Sequence, residues 1–284
     1  MHTNMSAESL SLSFLLWSIL TLSLLTHPST SATDSFVYGG CTQLKYTPGT
    51  VYEANVNSIL TSLVNSAASA NYNSFKISVP GSTQSDIVYG LFQCRGDLSN
   101  SDCRDCVSHA VSRLGVLCLD SSGGALQLEG CLVKYDNMSF LGVEDKTVVL
   151  KNCGPSSGSN SDELTRRDAV LAYLTAGGQY FRVGGSGNAQ GMVQCVQDLS
   201  VGECQDCISE AIGRLKNECG SSAWGDMYLA KCYARYSERG DYSSSDHSDD
   251  NEVERTLAIL IGIIAVVALL VMFLSFVCKR MDKE

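Results

Sequence analysis

Histidine and basic residues are scarce in this chain, and both shortages narrow what it can do. Its 284 residues include four histidines, and only His109 and His247 lie beyond the first 32 residues. A zinc site or a histidine-dependent catalytic centre therefore has few side chains available. Lys and Arg number 20 against 30 Asp and Glu, and the formal net charge is −10. This excess argues against a nucleic-acid partner, because phosphate binding needs a basic face.

Catalytic signatures are also missing. The sequence shows no Ser/His/Asp set, no paired-carboxylate signature and no phosphate loop. The Gly-rich stretch 184–191 lacks the Lys-Ser/Thr of a P-loop, and we interpret it as a flexible connection. His109 lies beside an apolar helical stripe, where a solvated side chain is favoured over a catalytic base. We therefore expect no enzymatic activity and no cofactor or metal.

The N-terminal end predicts export. An apolar run over 10–25 is followed by a stretch of small residues, in which Thr30 and Ala32 fit the small-x-small rule for cleavage. The segment before the apolar run carries no Lys or Arg, which is unusual for an export signal. The pattern nevertheless predicts a signal peptide over 1–32.

The C-terminal end predicts a membrane anchor. Residues 257–277 carry no charge and are long enough to cross a hydrocarbon core of about 30 Å. Lys279 and Arg280 follow, so 278–284 is predicted to be a cytosolic tail and the chain a single-pass type I protein. A GPI signal is the alternative, but its apolar tail normally runs to the terminus, whereas charged residues follow here.

Two features near the anchor have open alternatives. Residues 238–256 are polar and acidic, which favours a solvated extracellular stalk; calcium binding by Asp246, Asp249 and Asp250 is disfavoured because the loop Gly is absent at the required offset. Cys278, at the predicted inner membrane edge, is either S-acylated or an unmodified thiol.

The same cysteine spacing occurs twice in the chain. A shift of 101 residues lays 94–135 over 195–236, and C-x8-C-x2-C-x11-C-x12-C is present in both blocks. One further cysteine precedes each block, Cys41 in the first and Cys153 in the second. Each copy therefore has six cysteines, and Cys278 is left over.

Three chemistries use such cysteines: a metal knuckle, a redox CxxC centre and a disulfide framework. Export decides between them, because six cysteines in an exported module favour three disulfides. Zinc is the weaker alternative for want of histidine, and a thioredoxin-like centre would need an isolated CxxC. We predict two disulfide-stapled domains, over 33–145 and 146–237.

Apolar periodicity predicts an α+β fold for each domain. A helical stripe follows each cysteine triplet: Val107, Ala110, Val111 and Leu114, then Ile208, Ala211, Ile212 and Leu215. An earlier helix is marked by Val56, Ile59, Leu60, Leu63 and Val64 in the first copy, and by Ala169, Val170, Leu171, Tyr173 and Leu174 in the second. Strand-like segments cover 87–94, 126–135, 191–195 and 227–236. We expect two helices against an antiparallel sheet of about five strands in each module, and one transmembrane helix.

The six-cysteine pattern with C-x8-C-x2-C at its centre resembles the plant ginkbilobin-type, or stress-antifungal, cysteine-rich domain. The resemblance covers both modules. It implies that the first cysteine pairs with the fifth, the second with the third and the fourth with the sixth. The implied bonds are Cys41–Cys118, Cys94–Cys103, Cys106–Cys131, Cys153–Cys219, Cys195–Cys204 and Cys207–Cys232.

The architecture separates the classes that share this domain. A tail of seven residues leaves no room for a kinase, and a soluble antifungal lectin would lack the anchor. Two modules and one anchor are similar to the plasmodesmata-located protein family. That resemblance implies a place in the membrane lining cell-to-cell channels, and a role in limiting traffic by promoting callose deposition. The alternatives are a membrane-tethered lectin and a kinase-less co-receptor; partners to expect are cell-wall glycans, sister proteins or receptor kinases.

The lectin alternative has a residue test. The family's mannose site uses an Asn after the first cysteine, an Arg six residues before the sixth and a Glu five residues after it. The matching positions here are Thr42, Ala125 and Asp136 in the first module, and Gly154, Asp226 and Ser237 in the second. Only Asp136 keeps the chemistry, so a mannose site of that kind is not expected in either copy.

Two further features are singled out by residue type. Asn137-Met138-Ser139 is a glycosylation sequon outside the signal peptide and follows a predicted strand; the alternative is an unused sequon. Trp224 and Tyr228 could form an aromatic sugar platform, although packing against the sheet is favoured for at least one of them.

Overall fold

The structure, a computed structural model, describes residues 32–78, 83, 86–156 and 161–238. The contacts divide the chain into two compact units between Ser139 and Phe140. Several predicted features lie outside the described residues: the transmembrane segment, the cytosolic tail with Cys278, the calcium candidates and residues 1–31 of the predicted signal peptide. Within the part that is described, no helix combines the length and the apolar character that a membrane span requires.

The first module contains two helices and a five-stranded antiparallel sheet. After a 3₁₀ turn at Ala32–Asp34, its elements are β1 (Phe36–Cys41), α1 (Val51–Ala67), β2 (Tyr72–Ile77), β3 (Val88–Cys94), α2 (Asn100–Leu117), β4 (Gly123–Leu128) and β5 (Cys131–Asp136). The strand order is β1-β4-β5-β3-β2, so β1 and β2 form the edges. Both helices pack on the sheet and against each other.

The second module repeats this arrangement. Its elements are β6 (Val148–Cys153), α3 (Ser161–Thr175), β7 (Phe181–Ser186), β8 (Ala189–Cys195), α4 (Val201–Glu218), β9 (Trp224–Leu229) and β10 (Cys232–Glu238). The strand order is β6-β9-β10-β8-β7, which matches the first module strand for strand. The predicted α+β modules are thereby confirmed.

The buried stripe of α2 shows why the sequence forms this helix. Val107, Ala110 and Leu114 recur at helical spacing and are fully buried, while Ser99 caps the N-terminus by accepting the N–H of Asp102. In α4 the cap is a complete capping box between Ser200 and Glu203.

Helix α3 departs from the predicted stripe. Val170, Leu171 and Leu174 are buried as expected, but Tyr173 is exposed, as is Ala169. Tyr173 lies against the backbone of β7, where a Cβ on Gly184 would come within 2.7 Å of its ring.

The charged side chain of Arg167 forms part of the buried face of α3. Arg167 is 7 % exposed and donates to the carbonyl oxygen of Gly220, with its guanidinium 5.6 Å from the centre of the Tyr236 ring. The apolar periodicity gave no sign of this residue.

The stretch 184–191 is not a flexible connection. Strands β7 and β8 pair directly, with Ser186 opposite Ala189, so Gly187 and Asn188 form a two-residue hairpin turn. Gly187 has φ +61, in the left-handed region that glycine tolerates. The segments 126–135 and 227–236 likewise each fold as two strands joined by a short turn.

Six disulfides hold the modules, three in each. They join Cys41–Cys118, Cys94–Cys103, Cys106–Cys131, Cys153–Cys219, Cys195–Cys204 and Cys207–Cys232. These are the pairs that the resemblance implies. The longest loops, of 77 and 66 residues, tie the edge strands β1 and β6 to the ends of α2 and α4.

A buried ion pair fixes the first residues of the second module. Lys231, in the β9–β10 turn, pairs with Asp198, and their side chains are 2 % and 4 % exposed. Lys231 Nζ also donates to the carbonyl oxygen of Phe140 at 3.0 Å, and the Gly142 N–H donates to Asp198 Oδ2 at 3.0 Å. The first module has Gly130 at the position of Lys231, so it lacks this clamp.

Candidate functional site

The residual lectin position of the first module lies at one end of its sheet. Gly123 of β4 pairs with Asp136 of β5, and a Cβ on Gly123 would lie 2.8 Å from both Asp136 Oδ2 and Thr42 Cγ2. The structure thus brings Thr42 and Asp136 together across Gly123. Ala125, two residues along β4, pairs with Lys134 and supplies no guanidinium for a sugar hydroxyl.

The same position in the second module is filled. Trp224 replaces Gly123, and its indole lies so close over Gly154 that a Cβ there would overlap the ring. Asp226 is buried and accepts from Arg235 Nε at 2.7 Å. Ser237 is buried beside them on β10. An indole and an ion pair therefore stand where the side chains of the family's mannose site would be.

The aromatic pair of the second module packs internally. Tyr228 is 2 % exposed, and its ring lies 4.9 Å from that of Tyr233. The Arg235 guanidinium lies 5.8 Å from the Tyr228 ring centre. Trp224, which covers Gly154, is half-buried. Trp224 and Tyr228 therefore do not form an open platform for a sugar ring.

His109 is engaged in a structural contact. Its Nδ1 lies 2.7 Å from Asp34 Oδ2, and the Asp34 side chain is 6 % exposed. Arg113 donates to the carbonyl oxygen of Asp34 at 3.0 Å. Helix α2 thereby holds the 3₁₀ turn that precedes β1. Sequence reasoning missed Asp34 because the contact joins residues that are far apart in the chain.

Two buried tyrosines contribute ionisable groups to the core of the first module. Tyr135 donates to the carbonyl oxygen of Ser121 at 2.9 Å, and burial raises the pKa of Tyr135 to about 12. Tyr52 donates to the carbonyl oxygen of Ser122, and burial raises its pKa as well. Both hydroxyls remain protonated near neutral pH and serve packing. Among the described residues, no group of three His, Cys, Asp or Glu side chains is placed to hold a metal ion.

An apolar surface lies at the β1 edge of the first module, beside exposed Lys45, whose Nζ donates to Ser121 Oγ at 2.8 Å and to the carbonyl oxygen of Leu119. We call it the apolar edge and define it by five exposed residues: Phe36, Leu44, Val116, Leu117 and Leu119. Leu117 and Phe36 both lie against Gly39 of β1, because a Cβ there would come within 2.7 Å of Leu117 and 3.4 Å of Phe36. Strand β1 itself, FVYGGC, carries no charged residue. Sequence reasoning missed this surface because periodicity assigns such residues to a core.

The corresponding edge of the second module is charged. By strand register Lys151 of β6 replaces Gly39, and Glu218 replaces Leu117. Lys151 Nζ and Glu218 Oε2 form an ion pair at 2.8 Å. Val116 and Leu119 are likewise replaced, by Asn217 and Gly220. The same scaffold therefore presents an apolar edge in one module and a hydrophilic one in the other.

A shallow groove also lies between α1 and α2 of the first module. Its volume is about 570 Å³, and it is lined by Asn57, Leu60, Thr61, Val64, Asn65, Val111, Ser112 and Gly115. None of these lining residues is ionisable. The groove therefore offers no side chain that could act as a general acid, a general base or an ionised nucleophile.

Comparison with known proteins identifies both modules. The family model for the salt stress response/antifungal domain matches residues 40–138 and 152–239. Plasmodesmata-located protein 6 of Arabidopsis thaliana is 58% identical over 277 residues, which cover 93% of this chain and 95% of that protein. Plasmodesmata-located protein 7 of the same plant is 60% identical over 258 residues, which cover 89% of this chain and 86% of that protein.

Solved structures agree with the fold. The tandem DUF26 ectodomain of the Arabidopsis thaliana cysteine-rich receptor-like protein PDLP5 is 47% identical, with a TM-score of 0.68, and covers 72% of this chain and 100% of its own. The corresponding ectodomain of PDLP8 is 42% identical, with a TM-score of 0.70, and covers 73% of this chain and 100% of its own. With its two disulfide-stapled modules and these relatives, the chain belongs to the plasmodesmata-located protein family.

Proposed function

We propose that this chain is a non-enzymatic type I membrane protein of plasmodesmata that regulates cell-to-cell trafficking. In this proposal its exterior modules bind a partner, and binding promotes callose deposition. The location is supported by the relatives, which are named for plasmodesmata. The observation that carries the binding role is the apolar edge of the first module.

Binding rather than turnover is supported by the chemistry of the described residues. All twelve cysteines of the two modules are bonded in disulfides, which removes the strongest nucleophiles. The buried tyrosine hydroxyls are held protonated, because burial raises their pKa. What the modules offer instead is a rigid, shaped exterior.

The apolar edge suits one kind of occupant, an extended uncharged segment of an exterior protein. Strand β1 is an edge strand, and an added strand would gain main-chain hydrogen bonds along it. Phe36 and Leu117 would provide apolar contacts beside that strand. A charged segment would be disfavoured, because its charged groups would lose hydration against these side chains. The hydrophilic edge of the second module offers no equivalent.

The rival is a membrane-tethered lectin. Its support is limited to Asp136, because Trp224 and the Asp226–Arg235 pair fill the equivalent position of the second module. A glycan array with the two-module exterior separates the proposals. Strong mannose binding that disappears in Asp136→Ala would favour the lectin. A kinase-less co-receptor would instead be favoured by co-purification of the full chain with receptor kinases.

The decisive experiment expresses the full chain with a C-terminal fluorescent protein in leaf cells. We expect punctate signal at shared walls, more callose at the puncta and slower spread of a cytosolic tracer. A uniform plasma-membrane signal would overturn the proposed location.

A pair of matched variants tests the apolar edge. Leu117→Glu places a charge on it, and Val183→Glu places the same charge on an edge strand of the second module; the two side chains are 50% and 52% exposed. We expect Leu117→Glu to abolish most of the callose increase while abundance and puncta persist, and Val183→Glu to behave as the wild type. Equal callose in both variants would rule out the apolar edge as the binding surface.

A further inference from the structure

The disulfides place the folding of this chain in the compartment where N-glycans are added. Twelve cysteines paired in six bonds require an oxidising environment, which in plant cells is the secretory pathway. A sequon that is exposed on a folded module of such a chain is available for modification. Asn137-Met138-Ser139 is the one sequon in the sequence beyond the signal peptide.

The local fold presents this sequon in a turn. Strand β5 ends at Asp136, and Asp136 Oδ1 accepts the N–H of Met138 at 3.0 Å, which bends the chain away from the sheet. Asn137 itself is half-buried, whereas Met138 is 73% exposed and Ser139 is exposed. Within the described part of the chain, no hydrogen bond holds the Asn137 side chain.

The second module shows that this exposure is particular to the first. The residue equivalent to Asn137 is Glu238, which still belongs to β10, pairs with Ala189 and is 8% exposed. The central strand thus runs one residue further in the second module. The earlier end of β5 is what leaves the Asn137 amide outside the sheet.

We propose that Asn137 carries an N-linked glycan that covers the Asp136–Thr42 end of the first module's sheet. In the transfer, Asn137 Nδ2 forms a bond to C1 of the first N-acetylglucosamine of a lipid-pyrophosphate-linked oligosaccharide. The bond from that C1 to the pyrophosphate oxygen breaks, the lipid pyrophosphate leaves, and the amide gives up one proton. The first sugar is attached one residue from the Asp136 carboxylate, and Thr42 lies beside that carboxylate across Gly123, so both are within the span of a branched oligosaccharide.

A glycan at Asn137 would close one surface of the first module and leave another open. The Asp136 position is the part of the first module with residual sugar-binding chemistry, and the glycan closes it. The apolar edge extends along β1 and the end of α2, and it keeps its exposed Phe36 and Leu117. This inference does not depend on the proposed plasmodesmal role, since its tests measure only mass and accessibility.

The first test is occupancy of Asn137 in the full chain purified from plant cells. We expect an amidase that removes N-glycans to increase the gel mobility and to convert Asn137 to Asp in the peptide mass spectrum. Ser139→Ala and Asn137→Gln should run like the deglycosylated protein. Ser139→Thr keeps the sequon and should run like the wild type, as should Asn57→Gln, an exposed asparagine outside any sequon. An unmodified Asn137 peptide from the wild type would overturn the proposal.

The second test is coverage of Asp136. Carbodiimide labelling of carboxylates should be severalfold faster at Asp136 in Asn137→Gln than in the glycosylated wild type. Asp102, an exposed carboxylate at the start of α2, serves as the internal reference and should label equally in both. Equal labelling of Asp136 in the two proteins would show that a glycan at Asn137 does not cover it, and would overturn that half of the proposal.

Discussion

The two modules share one scaffold and differ in where they place charge. Both have the same strand order, the same disulfide pattern and a similar buried core. The first leaves Gly39, Gly123 and Gly130 where the second has Lys151, Trp224 and Lys231. In the second module the two lysines form ion pairs and the indole closes a gap. The disulfides and core therefore carry the fold, and these three positions are free to differ between the modules.

The largest effect should come from the long-loop disulfides, which test whether the scaffolds are equivalent. Replacing Cys41 and Cys118 by Ala, or Cys153 and Cys219 by Ala, opens loops of 77 and 66 residues. Each change should cost about 4 kcal/mol of unfolding free energy in its own module, because loop entropy depends only weakly on length. Denaturant unfolding of the two-module exterior measures both. A difference above about 2 kcal/mol would show that the scaffolds are not equivalent.

The buried ion pair should give the next largest effect, and only in the second module. Lys231→Met leaves Asp198 buried without its cation and should cost about 3 kcal/mol. The matched control is Arg95→Met in the first module, whose partner Asp97 is 47% exposed; it should cost less than about 1 kcal/mol.

A double variant separates the cost of a broken pair from the loss of packing. Lys231→Met with Asp198→Asn removes both charges, so it should be more stable than Lys231→Met alone. If the double variant is less stable than the single one, the cost lies in the shape of the site rather than in the uncompensated carboxylate. Thermal unfolding at constant pH and salt is sufficient for this comparison.

Tyr135 and Tyr236 occupy equivalent positions, so they allow the stability of the two modules at high pH to be compared. Burial raises the pKa of Tyr135 to about 12 and also raises that of Tyr236, where nearby Arg167 opposes the rise. A raised pKa contributes stability that is complete below the unfolded value of about 10 and is lost as the pH climbs through the folded value. Tyr135→Phe should therefore flatten the alkaline loss of stability of the first module more than Tyr236→Phe does for the second. Equal slopes in unfolding experiments between pH 9 and 12 would contradict this role of Arg167.

Helix caps should give the smallest effect. Ser99→Ala and Ser200→Ala each remove a side chain that accepts a first-turn N–H, which should cost about 1 kcal/mol. Hydrogen bonds from Ser200 lower the pKa of Glu203, so the contribution of its carboxylate is present above the usual glutamate pKa and is lost as the pH falls. Unfolding of Glu203→Gln and of the wild type at decreasing pH measures this contribution to stability. Asp102→Asn is the counterpart in the first module.

The sequence predicted the framework because periodicity and cysteine spacing are local signals. The α2 and α4 stripes follow from residues three and four apart, and the cysteine spacing carries the family resemblance that implies the disulfide pairs. The Lys231–Asp198 pair lies outside such signals, since the two residues are 33 apart in the chain. The hairpin at Gly187-Asn188 did have a local signal, because a Gly-Asn pair between two strands is typical of a two-residue turn. The glycine content of 184–191 obscured this signal.

The binding surfaces were harder to foresee than the fold. Position-by-position comparison named Thr42 and Asp136, which the structure places on either side of Gly123, but it could not show that Trp224 lies over Gly154 in the second module. Exposed Phe36 and Leu117 look like core residues in sequence, because hydropathy does not encode which side of an edge strand is covered. That information comes only from the sheet order.

The clamp between Lys231 and the carbonyl oxygen of Phe140 has a practical consequence for dissecting this protein. A fragment that starts at Cys153 contains every sulfur of the second module, yet it discards an acceptor of that ammonium group and the Gly142 N–H that Asp198 binds. Anyone wishing to produce this half by itself should begin at Phe140 or earlier.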